Sequence, residues 1–220
     1  MDEDLEKQHQ RQYTYHFFFV HGIYDELLDI EDFINSTDKF LAENLQINKD
    51  LPEGSENINP RFHPEVQFGS IFPDILWRTT FLHAYFLLET GLEQVCKNLQ
   101  QSEGYLLGIA DITGNGIFRA SVYLKKVCNI REPFSENVWK KLTDYNKLRN
   151  IFVHSDGLVS QKIAVELEKR NEGLLLAVVD FDKIAIRFSK EFTLKALQTI
   201  SSFFHMLHDA MRNNTQKKSL

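Results

Sequence analysis

The sequence predicts an all-α protein, a helical bundle with one small β-hairpin inserted before its last helix. Three observations carry that expectation. Apolar residues recur with a helical period over most of the 220 residues. The period shortens to that of strands only around 174–188. Gly and Pro number 10 and 5 in the whole chain, too few for a loop-rich or collagen-like protein. No internal repeat or low-complexity stretch interrupts the pattern, and the length suits one generous domain.

The first expected element is a helix over 3–46. Leu5, Gln12, Tyr15, Phe19, Ile23, Leu27, Ile30 and Ile34 fall at steps of three, four or seven, which is one helical face. Gly22 is the place where that helix would bend. Residues 1–47 thus form an acidic helical segment packing on the bundle. Residues 48–69 gather three Pro and two Gly among polar residues and read as a long loop. The stretch from Ser70 to about Gln101 is apolar nearly all round and reads as the buried central helix.

A turn at Gly114-Asn115-Gly116 precedes a helix over about 117–128, and Pro133 breaks the chain. Ser135 is placed to cap the next helix, which carries Val138, Leu142, Tyr145, Leu148 and Phe152 on one side. That helix should end near His154, with Gly157 in the C-cap region. Leu174–Val179 and Ile184–Phe188 flank Asp180–Lys183 and read as a hairpin that must pack on helices to be stable. A final helix over about 189–211 closes a bundle domain spanning 70–212, and 213–220 read as a flexible tail.

Composition narrows the function classes. No apolar run approaches the ~18–20 residues that span a bilayer. The N-terminus is acidic, the wrong sign for a signal or transit peptide. Cys96 and Cys128 are too few for a disulfide framework or a zinc cage and read as small buried hydrophobes. The expectation is a soluble cytoplasmic protein with no membrane partner. The formal net charge of −6 is divided unevenly: residues 1–60 carry a net −10 and residues 61–220 a net +4. Eight Lys and Arg lie between Arg119 and Arg149 against three acids, a local balance that permits a phosphate backbone to approach.

The sharpest local feature is Leu148-Arg149-Asn150-Ile151-Phe152-Val153-His154-Ser155-Asp156-Gly157. On a straight helix Asn150 and His154 share a face, whereas Arg149 and His154 point about 140° apart with a rise of about 7.5 Å. Arg149 must reach around on its stem, so a second surface, such as a partner chain, would gather the three. Arginine stabilises a developing anion without deprotonating, and histidine moves a proton near neutrality. Together they suit attack of a ribose 2′-OH on its adjacent phosphate, with no metal and no cofactor. The same residues equally suit a histidine favoured by the helix dipole beside a surface arginine.

Arg149-Asn150-x-x-x-His154, preceded by Leu and followed by Ser-Asp-Gly, resembles the signature of the HEPN superfamily: Arg, a polar residue, and His after four to six intervening positions. Leu88-Glu89-Thr90-Gly91-Leu92-Glu93 also resembles that family's core helix, and the resemblance covers roughly 70–212. It implies an all-α fold and a metal-independent endoribonuclease acting as a homodimer, with two motifs facing across a twofold axis. Arg149 would bind or stabilise the scissile phosphate, His154 would take part in proton transfer, and Asn150 would orient the phosphate or His154. Glu89 or Glu93 would correspond to an auxiliary acid on the core helix. Lys140, Lys141 and Lys147 would contact RNA. The resemblance further implies a toxin or anti-phage abortive-infection effector restrained by an antitoxin or other regulatory partner protein.

Other features are weaker. His205 and His208 lack a third ligand at metal spacing and read as core or surface histidines, and His16 and His21 have no companion acid. Asp111–Gly116 lacks the strand and the Lys-Ser/Thr of a phosphate loop and reads as a turn and cap. Phe17–Phe19 are candidates for part of a dimer interface. Two other classes stay open: a non-catalytic helical interaction module, and a nucleotide-binding regulatory domain using Arg149 and the basic stretch 119–149.

Overall fold

The structure is a computed structural model that describes residue 13, residues 17–47 and residues 60–217. Among the described residues six α-helices of ten residues or more accompany a three-stranded antiparallel sheet, so the protein is mainly α. A wide π-helical turn, Val20–Tyr24, runs into helix α1 (Asp25–Ile47). It surrounds Gly22, where the sequence predicts a bend, and Asp25 N–H reaches back five residues to Val20 O. The part of the expected first helix before residue 17, Tyr13 apart, lies outside the described residues, as do residues 48–59 of the expected loop.

Residues 60–69, also expected as loop, are helical turns instead. Pro60 opens one turn and Pro64 sits in the first turn of the next, with His63 in an extended conformation before it. His63 O accepts from both Val66 and Gln67 N–H at 3.0 Å. Proline at a first helical position is pre-set for the helix, so the composition that suggests a loop here starts one.

Helix α2 (Phe72–Glu103) follows, then α3 (Gly116–Lys126) and α4 (Asn137–Ser155). Ser135 does not cap α4: its hydroxyl donates to Glu132 O at 2.9 Å, closing the short turn Glu132–Phe134. Strand β1 (Leu158–Val159), helix α5 (Gln161–Arg170), the hairpin β2 (Leu174–Asp180) and β3 (Lys183–Phe188), and helix α6 (Lys190–Lys217) complete the order. The hairpin stands where the sequence predicts it. It belongs to a sheet of order β1-β3-β2, because Leu158 and Val159 pair with Ala185 and Ile184. Ser189 Oγ accepts from Phe192 N–H and caps α6, which runs on to Lys217 rather than ending near 211.

The described residues group into two compact units. The first draws on 1–28, 84–146 and 198–220. Its core is built on Phe203 and Phe204, consecutive buried residues whose rings meet edge-on at 5.8 Å. Phe203 packs on Phe134 and Trp139 at ring distances of 5.7 and 5.6 Å, and Phe204 on Phe19 at 6.2 Å. Gly91 permits this, since a Cβ there would lie 2.8 Å from Phe204 Cζ. Cys96 and Cys128 are buried free thiols, and burial pushes the Cys96 thiol far up.

The second unit draws on 29–83 and 147–197. Its centre is Phe188, whose ring meets Phe81, Phe152 and Phe192 at 4.6, 4.7 and 4.7 Å. The sheet's inner face, Leu174, Ile184, Ile186 and Phe188, is buried there, an alternation set by the two-residue period of strands. Lys190 Nζ reaches Asp38 at 2.7 Å and ties the start of α6 to α1 within this unit.

Candidate functional site

The motif residues lie on the last two turns of α4, in the second unit. Leu148 and Phe152, four apart, are buried and anchor that stretch, which leaves Arg149 and Asn150 half-buried and His154 exposed. Arg149 Nη1 donates to Asn150 Oδ1 at 3.0 Å. The guanidinium therefore turns toward Asn150, which shares a helix face with His154. Lys147 is exposed seven residues before His154 and so rises on the same face.

What ends the helix also places His154. Asp156 and Gly157 both adopt left-handed backbone, with φ of 49° and 81°. Asp156 N–H still donates to Phe152 O at 3.2 Å, while Gly157 N–H turns to Ile151 O at 3.4 Å. Gly157 O in turn accepts from Ile186 N–H at 2.9 Å, so the chain passes from the helix terminus directly into the sheet. A side chain at 157 would lie 2.7 Å from Phe152 Cε1 and 3.2 Å from Ile186 O, which only glycine avoids.

One residue near the motif carries no sequence signal of its own. Arg78 of α2 donates from Nη1 to Asp156 Oδ1 at 3.0 Å, two residues past His154. It sits 78 positions earlier in an apolar helical stretch, where an arginine reads as a solvated charge. Two guanidinium groups, Arg149 and Arg78, are thus each engaged by an oxygen of the motif's own segment.

The remaining expected site residues belong to the first unit. Glu89 points its carboxylate at Gly116, the first residue of α3, where negative charge is favoured by the helix terminus. Glu93 accepts from Lys97 Nζ at 2.7 Å. That ammonium holds the Glu93 carboxyl below its ordinary range, with Arg119 adding to the effect against a desolvation penalty. An acid kept ionised in this way can stabilise positive charge but is a poor proton donor near neutrality. Lys140 is exposed and donates to Asn137 Oδ1 at 3.3 Å, and Lys141 is half-buried.

The Gly114–Gly116 turn is a turn and backbone cap: Gly114 and Gly116 have φ of 107° and 52°, and Arg119 N–H donates to Asn115 O at 3.3 Å. His205 stacks on Tyr24 at 4.2 Å and His208 on Phe19 at 4.5 Å, so both are packing residues. Among the described residues no cluster of three His, Cys, Asp or Glu side chains could hold a metal ion, and no helix is long and apolar enough to cross a membrane.

Compared with known proteins, the chain matches no family model, no curated protein and no solved structure.

Proposed function

We propose that the chain is a metal-independent endoribonuclease of the HEPN type, working as a homodimer in a toxin or phage-defence role and held in check by a partner protein. The observation that supports this best is the Arg149–Asn150 pair one turn before an exposed histidine at the end of a rigidly terminated helix. In this reading Arg149 stabilises the charge that develops on the equatorial phosphate oxygens. Asn150 holds the guanidinium in register. His154 removes the 2′-OH proton as that oxygen attacks phosphorus, and the bond to the 5′-oxygen breaks. A second proton transfer, to the leaving 5′-oxygen, needs a second acid, which His154 of another copy supplies. The products are a 2′,3′-cyclic phosphate and a 5′-hydroxyl. Lys147 steers the backbone toward the motif.

The test is cleavage of a mixed tRNA and single-stranded RNA pool in EDTA, with the 3′ ends mapped chemically. Wild type should leave cyclic-phosphate ends. Arg149→Ala and His154→Ala should each abolish them while keeping the wild-type melting temperature. A second reading, a non-catalytic interaction module, is favoured by Arg149 being bonded inside its own helix. It predicts no cleavage by folded wild type and a lower melting temperature for Arg149→Ala.

A further inference from the structure

Strand β2 is an edge strand, because the sheet order is β1-β3-β2. Which of its backbone groups face outward follows from the ladder. Ile186 N–H donates to Gly157 O on the β1 side, so the even-numbered residues of β3 point toward β1 and the odd-numbered ones toward β2. Ala185 and Arg187 therefore bond Ala177 and Leu175, their partners in register. Ser189 N–H donating to Gly173 O continues the same parity. Leu176 and Val178 are left with N–H and C=O directed away from the sheet. Helix α5 packs against both β2 and the central strand β3, so it lies over a face, and among the described residues no further strand pairs with β2.

Natural edges are guarded by lysine, proline, inward charges or shortness. From Leu174 to Val179 this one has none of them. A bulge is present at Val179, but it lies beyond the two outward-facing residues. Leu175, Val178 and Val179 are 53%, 81% and 58% exposed, and Phe181 at the hairpin tip is fully exposed. A hairpin meant to stand in water would carry polar residues at these positions.

We propose that β2 is a dimerisation edge, pairing antiparallel with β2 of a second copy of this chain about a twofold axis at Ala177. The strand complements itself. That register sets Leu176 of each copy opposite Val178 of the other, which uses all the outward amides and carbonyls of both residues. It also sets Leu175 opposite Val179, and Ala177, the smallest side chain of the strand, opposite itself on the axis. No charge falls between Leu175 and Val179, and Asp180 lies at the end of the strand opposite Leu174. The nearest like-charge approach, Glu172 to Asp182, lies outside the ladder, and Glu172 is already bonded to Lys195 at 2.6 Å. Four hydrogen bonds and a few apolar side chains make a small interface, so dissociation constants on the order of 10 µM are expected. This pairing stands independently of the ribonuclease reading.

Sedimentation equilibrium of the full chain over about 1–200 µM tests it. Wild type should show a reversible doubling of mass, from monomer to dimer, or from dimer to tetramer where the motif-facing dimer of the ribonuclease reading also forms. Val178→Pro removes only an outward-facing donor, which an edge strand tolerates, and should weaken association by about tenfold or more. Val178→Lys keeps every backbone group and should weaken it comparably, which carries the test where the proline disturbs the hairpin. Val178→Thr should stay within about threefold of wild type. Amide exchange adds a readout of parity: Leu176 and Val178 should become protected as concentration rises, while Leu175 and Ala177 are protected throughout. Wild type whose mass shows no such doubling across the range, or a doubling indifferent to both Val178→Pro and Val178→Lys, overturns the proposal.

Discussion

Replacing Gly157 with alanine loads two separable costs onto the junction that ends α4. The first is conformational: φ is +81°, and an L-residue in left-handed backbone costs roughly 1–2 kcal/mol. The second is steric. The new methyl would sit 2.7 Å from Phe152 Cε1 and 3.2 Å from Ile186 O. Phe152 cannot swing away freely, since it is buried with its ring 4.7 Å from that of Phe188. Moving residue 157 instead strains the bond from Ile186 N–H to its carbonyl. Overpacking of this kind costs about 1–3 kcal/mol, so the sum is about 2–5 kcal/mol. Gly104 supplies the control, with φ of +68° and nothing within 4 Å of an added Cβ. Gly104→Ala should show the conformational cost alone, about 1–2 kcal/mol. Urea unfolding of both variants and wild type, compared at constant m, reads the difference. Gly157→Ala should exceed Gly104→Ala by about 1 kcal/mol or more, and Phe152→Leu should shrink that excess. Equal losses for the two glycines would refute the steric argument.

Three other outcomes follow from the packing and charge. Phe188→Ala, at the centre of three aromatic contacts, should cost about 3–5 kcal/mol in the same urea experiment. Glu93 should titrate below an ordinary glutamate by NMR because Lys97 is bonded to it, and Lys97→Met should return it upward. A carboxyl depressed in the folded state stabilises above its unfolded pKa, so this contribution is present at neutral pH and is lost as pH falls through the folded value. Cys96, buried and with its thiol pushed up, should resist iodoacetamide in the native protein at pH 8 and react once unfolded in urea.

The helices were legible because their apolar residues repeat with the period of their buried faces. Leu142, Tyr145, Leu148 and Phe152 are all buried on α4, as their spacing requires. The hairpin was legible from two runs of β-branched and apolar residues around a polar turn. Strand β1 was not, since two residues show no period, and Leu158–Val159 becomes a strand only through pairing with β3. Helix α5 buries only Ala164 and Leu167 fully, so its sequence carries too thin an apolar stripe to stand out. At the candidate site, the shared face of Asn150 and His154 follows from helix geometry. The Arg149–Asn150 bond depends on which rotamer a long side chain adopts, and the Arg78–Asp156 pair on tertiary folding across 78 residues. Neither can be read from spacing.

Both units are assembled from early and late parts of the chain, and α6 serves both, giving Phe192 to one core and Phe203 and Phe204 to the other. Synthesis from the N-terminus therefore makes Arg149 and His154 long before either core can close. A nascent or prematurely stopped chain that lacks α6 holds the motif on an unsupported segment, with Phe188 and Phe19 facing water. Under the proposed ribonuclease reading, this order of construction delays the folded motif until α6 has emerged.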